Sequence, residues 1–180
     1  MSGDATDVVF FCSHCGGAAL LGGDGLSSQQ STAFLPTPGR VARVWRPAWV
    51  FRARVEVRDR VVAGGGPPTG WTEDRLFVVP AFDLSLRDRV RLGRALTVAA
   101  PEAGEVPKEP VRGGTLRLED AVVLARHMIV GDEIRRPDML TSLTVEVERL
   151  NHRLAAVPFE RSQRGLRCSV TGVEVPATSS

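Results

Sequence analysis

Hydrophobic and polar positions alternate most cleanly between residues 44 and 57. Trp45, Trp49, Phe51, Ala53, Val55 and Val57 fall on odd positions, while Arg46, Arg52, Arg54, Glu56 and Arg58 fall on even ones. A period of two puts the two sets on opposite faces of a strand, so the segment predicts a half-buried strand in an antiparallel sheet. Pro47 is tolerated where a strand begins or runs along an edge. Val61 and Val62 lead into the Gly-Gly-Gly-Pro-Pro turn at 64–68, and Leu-Phe-Val-Val-Pro at 76–80 reads as a buried strand. Residues 44–80 therefore predict a long hairpin. Alternation returns at 143–148, where Leu143, Val145 and Val147 stand against Thr144, Glu146 and Glu148. Asn151-His152 then predicts a turn into a strand at 153–159, 162–165 a second turn, and 166–175 the last strand.

Between these hairpins the period changes. Residues 85–99 carry Leu86, Val90, Gly93 and Leu96 on one helical face and Arg87, Arg91 and Arg94 on others. Ser85 with Asp88 three positions on resembles a capping box. After a Pro- and Glu-rich connection at 101–110 and an extended piece at 113–118, residues 119–130 predict a second helix. Its apolar side is Val122, Ala125 and Ile129, widened by Ala121, Leu124 and Met128. Glu119 and Asp120 suit the positive end of its dipole, Gly131 is expected to stop it, and Pro137 to prevent a restart. The whole predicts an α+β fold, a mostly antiparallel β-sheet with two helices covering one face.

The N-terminal stretch is of another kind. An apolar run at 8–11 delivers Cys12 and Cys15 into a turn closed by Gly16 and Gly17. The C-x-x-C spacing lets two thiolates point at one centre, which is the shape of a single zinc knuckle. Residues 22–38, rich in Gly, Ser, Gln and Pro, read as a linker or long loop. Where a second knuckle would stand the chain has Ser27, Ser28, Ser31 and Thr32, whose hydroxyls are poor zinc ligands. The expected division is 1–38, a degenerate zinc-ribbon-like knuckle module plus linker, and 39–180, the α+β domain. Residues 2–7 and 176–180 are expected to be a disordered start and a frayed tail.

Cys12 and Cys15 are open to three readings: two zinc ligands, a redox dithiol, or a knuckle that has lost its metal. Zinc needs two further donors, drawn from His14, His127, His152 and Cys168 or from a second copy of the knuckle in a homo-oligomer. Cys168 alternates in phase with Leu166 and Val170 and reads as a small buried apolar residue. His127, near the expected helix end, reads as a surface residue, and His152 as a solvated turn residue. The arginine row of 46–58 invites nucleic acid, but the aromatic residues wanted for base stacking lie on the opposite face. The adjacent carboxylates Glu119–Asp120 and Glu133–Asp132 diverge and form no acid/base couple. No nucleophile elbow, phosphate-binding glycine loop or H-E-x-x-H is present.

Composition narrows the classes further. The net charge of +2 on 180 residues favours neither nucleic acid nor a membrane surface. No apolar run approaches the roughly 20 residues of a membrane span. The acidic start is not expected to act as a signal peptide, and three cysteines, two of them in a C-x-x-C, fit a reducing compartment. A cytoplasmic protein is expected.

Cys-Ser-His-Cys-Gly at 12–16 followed by Trp45-Arg46-Pro47-Ala48-Trp49-Val50-Phe51-Arg52-Ala53 resembles bacterial zinc-ribbon-containing proteins of unknown function. In these a CxxCG knuckle precedes a W-x-P-x-W-x-F-x-A strand. The resemblance covers residues 8–58 and departs from the family in lacking the second cysteine pair. It implies a zinc-stabilised module joined to a β-rich domain, serving as an accessory or complex subunit. The resulting expectation is a non-catalytic accessory or assembly subunit of a larger bacterial complex, docking through knuckle, linker and sheet surface. Trp45, Arg46, Arg52, Arg54 and Arg58 are its expected partner-binding residues. The alternative is a zinc-dependent nucleic-acid-binding module built on the knuckle and strand 46–58. An enzyme whose groups are scattered, with Asp83, His127 and Glu133 converging in a pocket, is the third reading.

Overall fold

The computed structural model describes residues 6–177; residues 1–5 and 178–180, the outer parts of the expected disordered start and frayed tail, lie outside the described residues. Strands β1 (Val9–Phe11), β2 (Ala18–Gly22) and β3 (Gly25–Gln29) form a small antiparallel sheet in that order. The main sheet takes β4 (Ser31–Phe34), β5 (Val44–Val62) and β6 (Thr69–Pro80). Helix α1 (Leu86–Ala99), β7 (Ala103–Gly104) and α2 (Leu118–Ile134) follow, then β8 (Leu140–Ser162), β9 (Gly165–Cys168) and β10 (Glu174–Val175). The fold is α+β, dominated by antiparallel pairing.

β5 is the spine. It pairs antiparallel with β6 on one side and with β8 on the other. Beyond β8 lie β4, parallel to residues 154–156, and β9, antiparallel to residues 159–162. β7 and β10 extend these two. Burial changes half-way along the three long strands. Residues 45–51 of β5, 77–80 of β6 and 154–159 of β8 are buried whichever way their side chains point. From Arg52 onward β5 alternates, with Ala53, Val55 and Val57 buried and Arg52, Arg54 and Arg58 outside. The proximal half is thus covered on both faces and the distal half on one.

Two apolar clusters follow from this. Trp45, Trp49, Phe51, Val55 and Val57 face Val9 and Phe11 of the N-terminal sheet and Ala121, Ala125, Met128 and Ile129 of α2. Ala48 and Val50 turn the other way, joining Phe82, Leu92, Leu96, Val157, Phe159 and Cys168. The helices do not share one face. α2 covers the first, while α1 runs along the free edge of β6: the Val78 N–H donates to Thr97 Oγ1 at 3.0 Å, and the Arg89 guanidinium donates to the Pro80 carbonyl. Gly93 permits the approach, since a Cβ there would meet the Val78 carbonyl oxygen at 2.9 Å. The helix buries Arg89, Leu92, Gly93 and Leu96 and leaves the expected core residue Leu86 exposed. Ser85 does cap it, accepting from the Asp88 N–H at 3.1 Å.

Three other expectations give way to longer-range pairing. Residues 151–152 are not a turn: β8 is continuous, because β5 templates its whole length, and the polar Asn151 sits at a bulge where its Oδ1 accepts from the Arg52 N–H at 3.3 Å. The expected linker at 22–38 contains β3 and β4, whose few apolar side chains hide a strand from a hydrophobic pattern. Gly131 does not end α2. Its missing side chain makes room for Arg94, which donates to the Met128 carbonyl at 2.7 Å and pairs with Asp132 at 3.0 Å.

The end of α2 is pinned to the β5–β6 hairpin by a buried ion pair. Glu133, 2% exposed at its side chain, accepts from Arg60 Nε at 2.7 Å, Arg136 Nη2 at 2.7 Å and Trp71 Nε1 at 3.2 Å. Arg60 also donates to Asp138 at 2.6 Å, and that bond holds the Asp138 carboxyl below its ordinary pKa. Replacing Glu133 by Ala leaves the buried Arg60 with Asp138 as its one carboxylate partner and the Trp71 N–H without its acceptor. Urea unfolding should register a loss of about 3–5 kcal/mol, the usual result of breaking a buried pair from one side; a loss below about 1 kcal/mol would contradict the pinning role.

Candidate functional site

The knuckle is built as a firm base with an exposed tip. Val9, Phe11 and Ala18 bury into the main cluster, so the strands flanking the turn are fixed. The Cys12 N–H donates to the Gly17 carbonyl and the Gly16 N–H to the Cys12 carbonyl, both at 2.8 Å, and Gly16 takes the left-handed φ of 70° that the turn requires. Ser31 Oγ donates to the Gly16 carbonyl at 2.7 Å, tying the turn to the start of β4. Cys12 is half-buried and Cys15 exposed. The backbone N–H groups of Cys15 and then His14 point at Cys12 and lower its thiol pKa, with the Cys15 side chain adding to the effect.

Cys12 and Cys15 could supply two donors to a tetrahedral zinc ion, but the described residues bring no group of three or more His, Cys, Asp or Glu side chains together as ligands of one ion. The other candidates lie elsewhere. Cys168 is fully buried in the opposite apolar cluster, as its strand phase predicts. His127 is exposed in the middle of α2 rather than near its end. His152 is a strand residue whose ring centroid lies 6.0 Å from that of Trp49, bonded to Gln29 and Arg149. Burial, then repulsion from Arg149, lowers its pKa. The donors among the described residues of one chain do not fit a closed four-ligand site. Nor do the residues of the third reading gather: Glu133 is locked to Arg60, His127 stands in solvent, and Asp83 is an exposed residue before α1.

The arginine row divides at the point where burial changes. Trp45 and Arg46 are interior, 9% and 6% exposed. The Arg46 guanidinium lies 6.0 Å from the Phe82 ring centroid, and its Nη1 is buried without a hydrogen-bond partner. Desolvation, with repulsion from Arg112 and Arg161, brings its pKa down to about 10, which still leaves it charged at neutral pH. Arg52, Arg54 and Arg58 reach solvent on the distal face. Acids from the neighbouring strands stand among them: Arg54 lies 3.6 Å from Asp74, and Arg58 pairs with Glu56 and Glu146 at 2.7 Å each. The face is therefore a mosaic of both signs. Asp74, Glu146 and Glu148 belong to this surface; the sequence put Glu146 and Glu148 on the polar face of a strand but not beside the arginines, because only the strand register places them there.

Comparison with models of known protein families, with curated proteins and with solved structures finds no match to this chain. No helix among the described residues is long and apolar enough to cross a membrane.

The knuckle geometry makes a direct prediction about thiol reactivity. In a pH series of iodoacetamide labelling read by mass spectrometry, Cys12 should reach half-maximal rate below the ordinary thiol value of about 8.5. Cys168, fully buried, should stay unlabelled until the protein is denatured. Labelling of Cys12 only above that value would remove the backbone cradle from the account.

Proposed function

We propose that this chain is a non-catalytic interaction subunit that docks into a larger assembly. The observation that supports the reading is the one-sided distal half of the sheet. Three strands run past the region where both faces are covered, and among the described residues nothing lies over Arg52, Arg54 and Arg58. An antiparallel sheet can face water on one side, and a mixed-charge face of this kind also suits a protein surface of matching mosaic. The knuckle adds a second exposed feature on a rigid base. In this reading zinc bound by Cys12 and Cys15 takes its remaining donors from outside the chain, from a partner or a second copy.

The nucleic-acid reading has less support. Polyanion binding draws on uncompensated cations, whereas Arg54 and Arg58 already face carboxylates, and the aromatic residues of β5 are buried on the other face.

Size-exclusion of native extract tests the docking reading. The chain should elute well above the position of a 19.4 kDa monomer, and the double variant Arg52→Glu, Arg54→Glu should shift it toward that position while its melting temperature stays within a few degrees. Elemental analysis of the recovered assembly reads the metal in the same sample. Elution of the unmodified chain as a free monomer at native abundance would overturn the proposal.

A further inference from the structure

The outer edge of β8 carries an inference that rests on the docking reading and names the partner's form. On its inner side β8 follows β5 from the Val44–Phe159 pair to the Val62–Leu140 pair. On its outer side only residues 154–156 and 159–162 are paired. Among the described residues no strand and no backbone hydrogen bond reaches the outer side of 142–149. Outward N–H and C=O groups in a row are a template for another strand, which proteins usually block.

The opposite edge of the sheet is blocked. α1 lies along residues 78–80 of β6, and the remainder carries Glu73, Asp74 and Arg75 in succession, with Arg75 folded over the Trp71 ring at 4.6 Å. The β8 edge carries charges of its own, Glu146, Glu148 and Arg149, but among the described residues no helix side chain bonds to its backbone as Thr97 and Arg89 do on β6. It holds neither proline nor lysine, and it runs in unbroken register on β5 from Thr144 to Arg149. Beside it lies an open groove of about 560 Å³ between Thr144–Glu148 of β8 and Val122, Val123 and Arg126 of α2. Val123, 66% exposed, forms its far wall.

The side chains flanking this edge state what an added strand must carry. Towards α2 it would meet Val145, Val147 and the groove valines; on the other face it would meet Glu146 and Glu148. From the inside β5 sets Arg54, Val55, Val57 and Arg58 against Glu148, Val147, Val145 and Thr144; Glu56 stands opposite Glu146, and Arg58 reaches across to Glu146 at 2.7 Å. We propose that the free edge of β8 binds an extended segment of a partner protein in which apolar residues alternate with arginine or lysine, by adding it as a strand. A second copy of β8 fits less well. Antiparallel self-pairing centred on Glu146 or Val147 sets glutamate opposite glutamate, and centring on Val145 sets Glu146 opposite Thr144 and Glu148 opposite Ser142, adding no cation to the Arg58 that already reaches Glu146.

The test uses the full chain and a fluorescein-labelled nonapeptide of alternating Val and Arg, read by fluorescence anisotropy and by hydrogen–deuterium exchange. The controls are an alternating Val/Glu peptide and a peptide with the same valines and arginines grouped in two blocks. The alternating Val/Arg peptide should bind at least tenfold more tightly than either control and should slow exchange within 142–149. Glu148→Arg and Val123→Arg, both at exposed positions, should each weaken binding at least tenfold without lowering the melting temperature. Equal binding by the block peptide, no binding, or protection confined to another surface would overturn the proposal. So would a dimer in ultracentrifugation with 142–149 protected in the protein alone. If a native complex forms but its cross-links avoid β8, the docking reading stands and this one fails. A native monomer that still takes up the peptide at this edge gives the reverse.

Discussion

The backbone ladder between β5 and β8 is the constraint on which the rest of the molecule depends. It runs from the Val44–Phe159 pair to the Val62–Leu140 pair, longer than the proximal region covered on both faces. Where the ladder lies inside, both faces are apolar and two clusters form, one under α2 and the N-terminal sheet, the other behind α1 and β9. Where it projects, one face keeps α2 and the other meets water. The exposed arginine face, the unpaired β8 edge and the groove beside α2 all follow from strands that outlast their covering.

Arginine burial shows how the fold treats a charge according to what surrounds it. Arg60 is held by carboxylates of Glu133 and Asp138, so its charge is favoured and it ties α2 to the hairpin. Arg89 instead finds backbone carbonyls of Pro80 and Leu84 and fixes the start of α1 against the strand edge. Arg46 lies near the Phe82 ring, and its pKa falls because desolvation and neighbouring arginines outweigh Asp7. The three share one side-chain chemistry and differ in the dielectric and the partners around it.

The knuckle and the distal sheet resemble each other physically. Each is a rigid element that stops short of completing its own interactions: two thiols without the rest of a ligand set among the described residues, and a strand without an outer neighbour. Neither feature brings acids, bases and nucleophiles together around a reacting atom. In the docking reading proposed above, both would present a fixed geometry to something outside the chain.

Local chemistry was legible from the sequence. A period of two is written residue by residue, so the strand at 44–57, the burial of Cys168 and the exposure of Arg52 and Arg54 could be read directly. The Ser85 cap also depends only on residues three apart. What the tertiary structure alone decided is non-local. β8 runs through Asn151 and His152 because β5 lies alongside; the serine-rich stretch around Ser27–Ser31 becomes strand because β2 and β8 offer it backbone partners. Arg46 is drawn inside although its position in the alternation matches that of Arg52, and acids from β6 and β8 stand among the outer arginines. Hydrophobic periodicity records which way a side chain points. It does not record what stands opposite, and that is set by strand register between residues a hundred positions apart, as for Arg52 and Asn151.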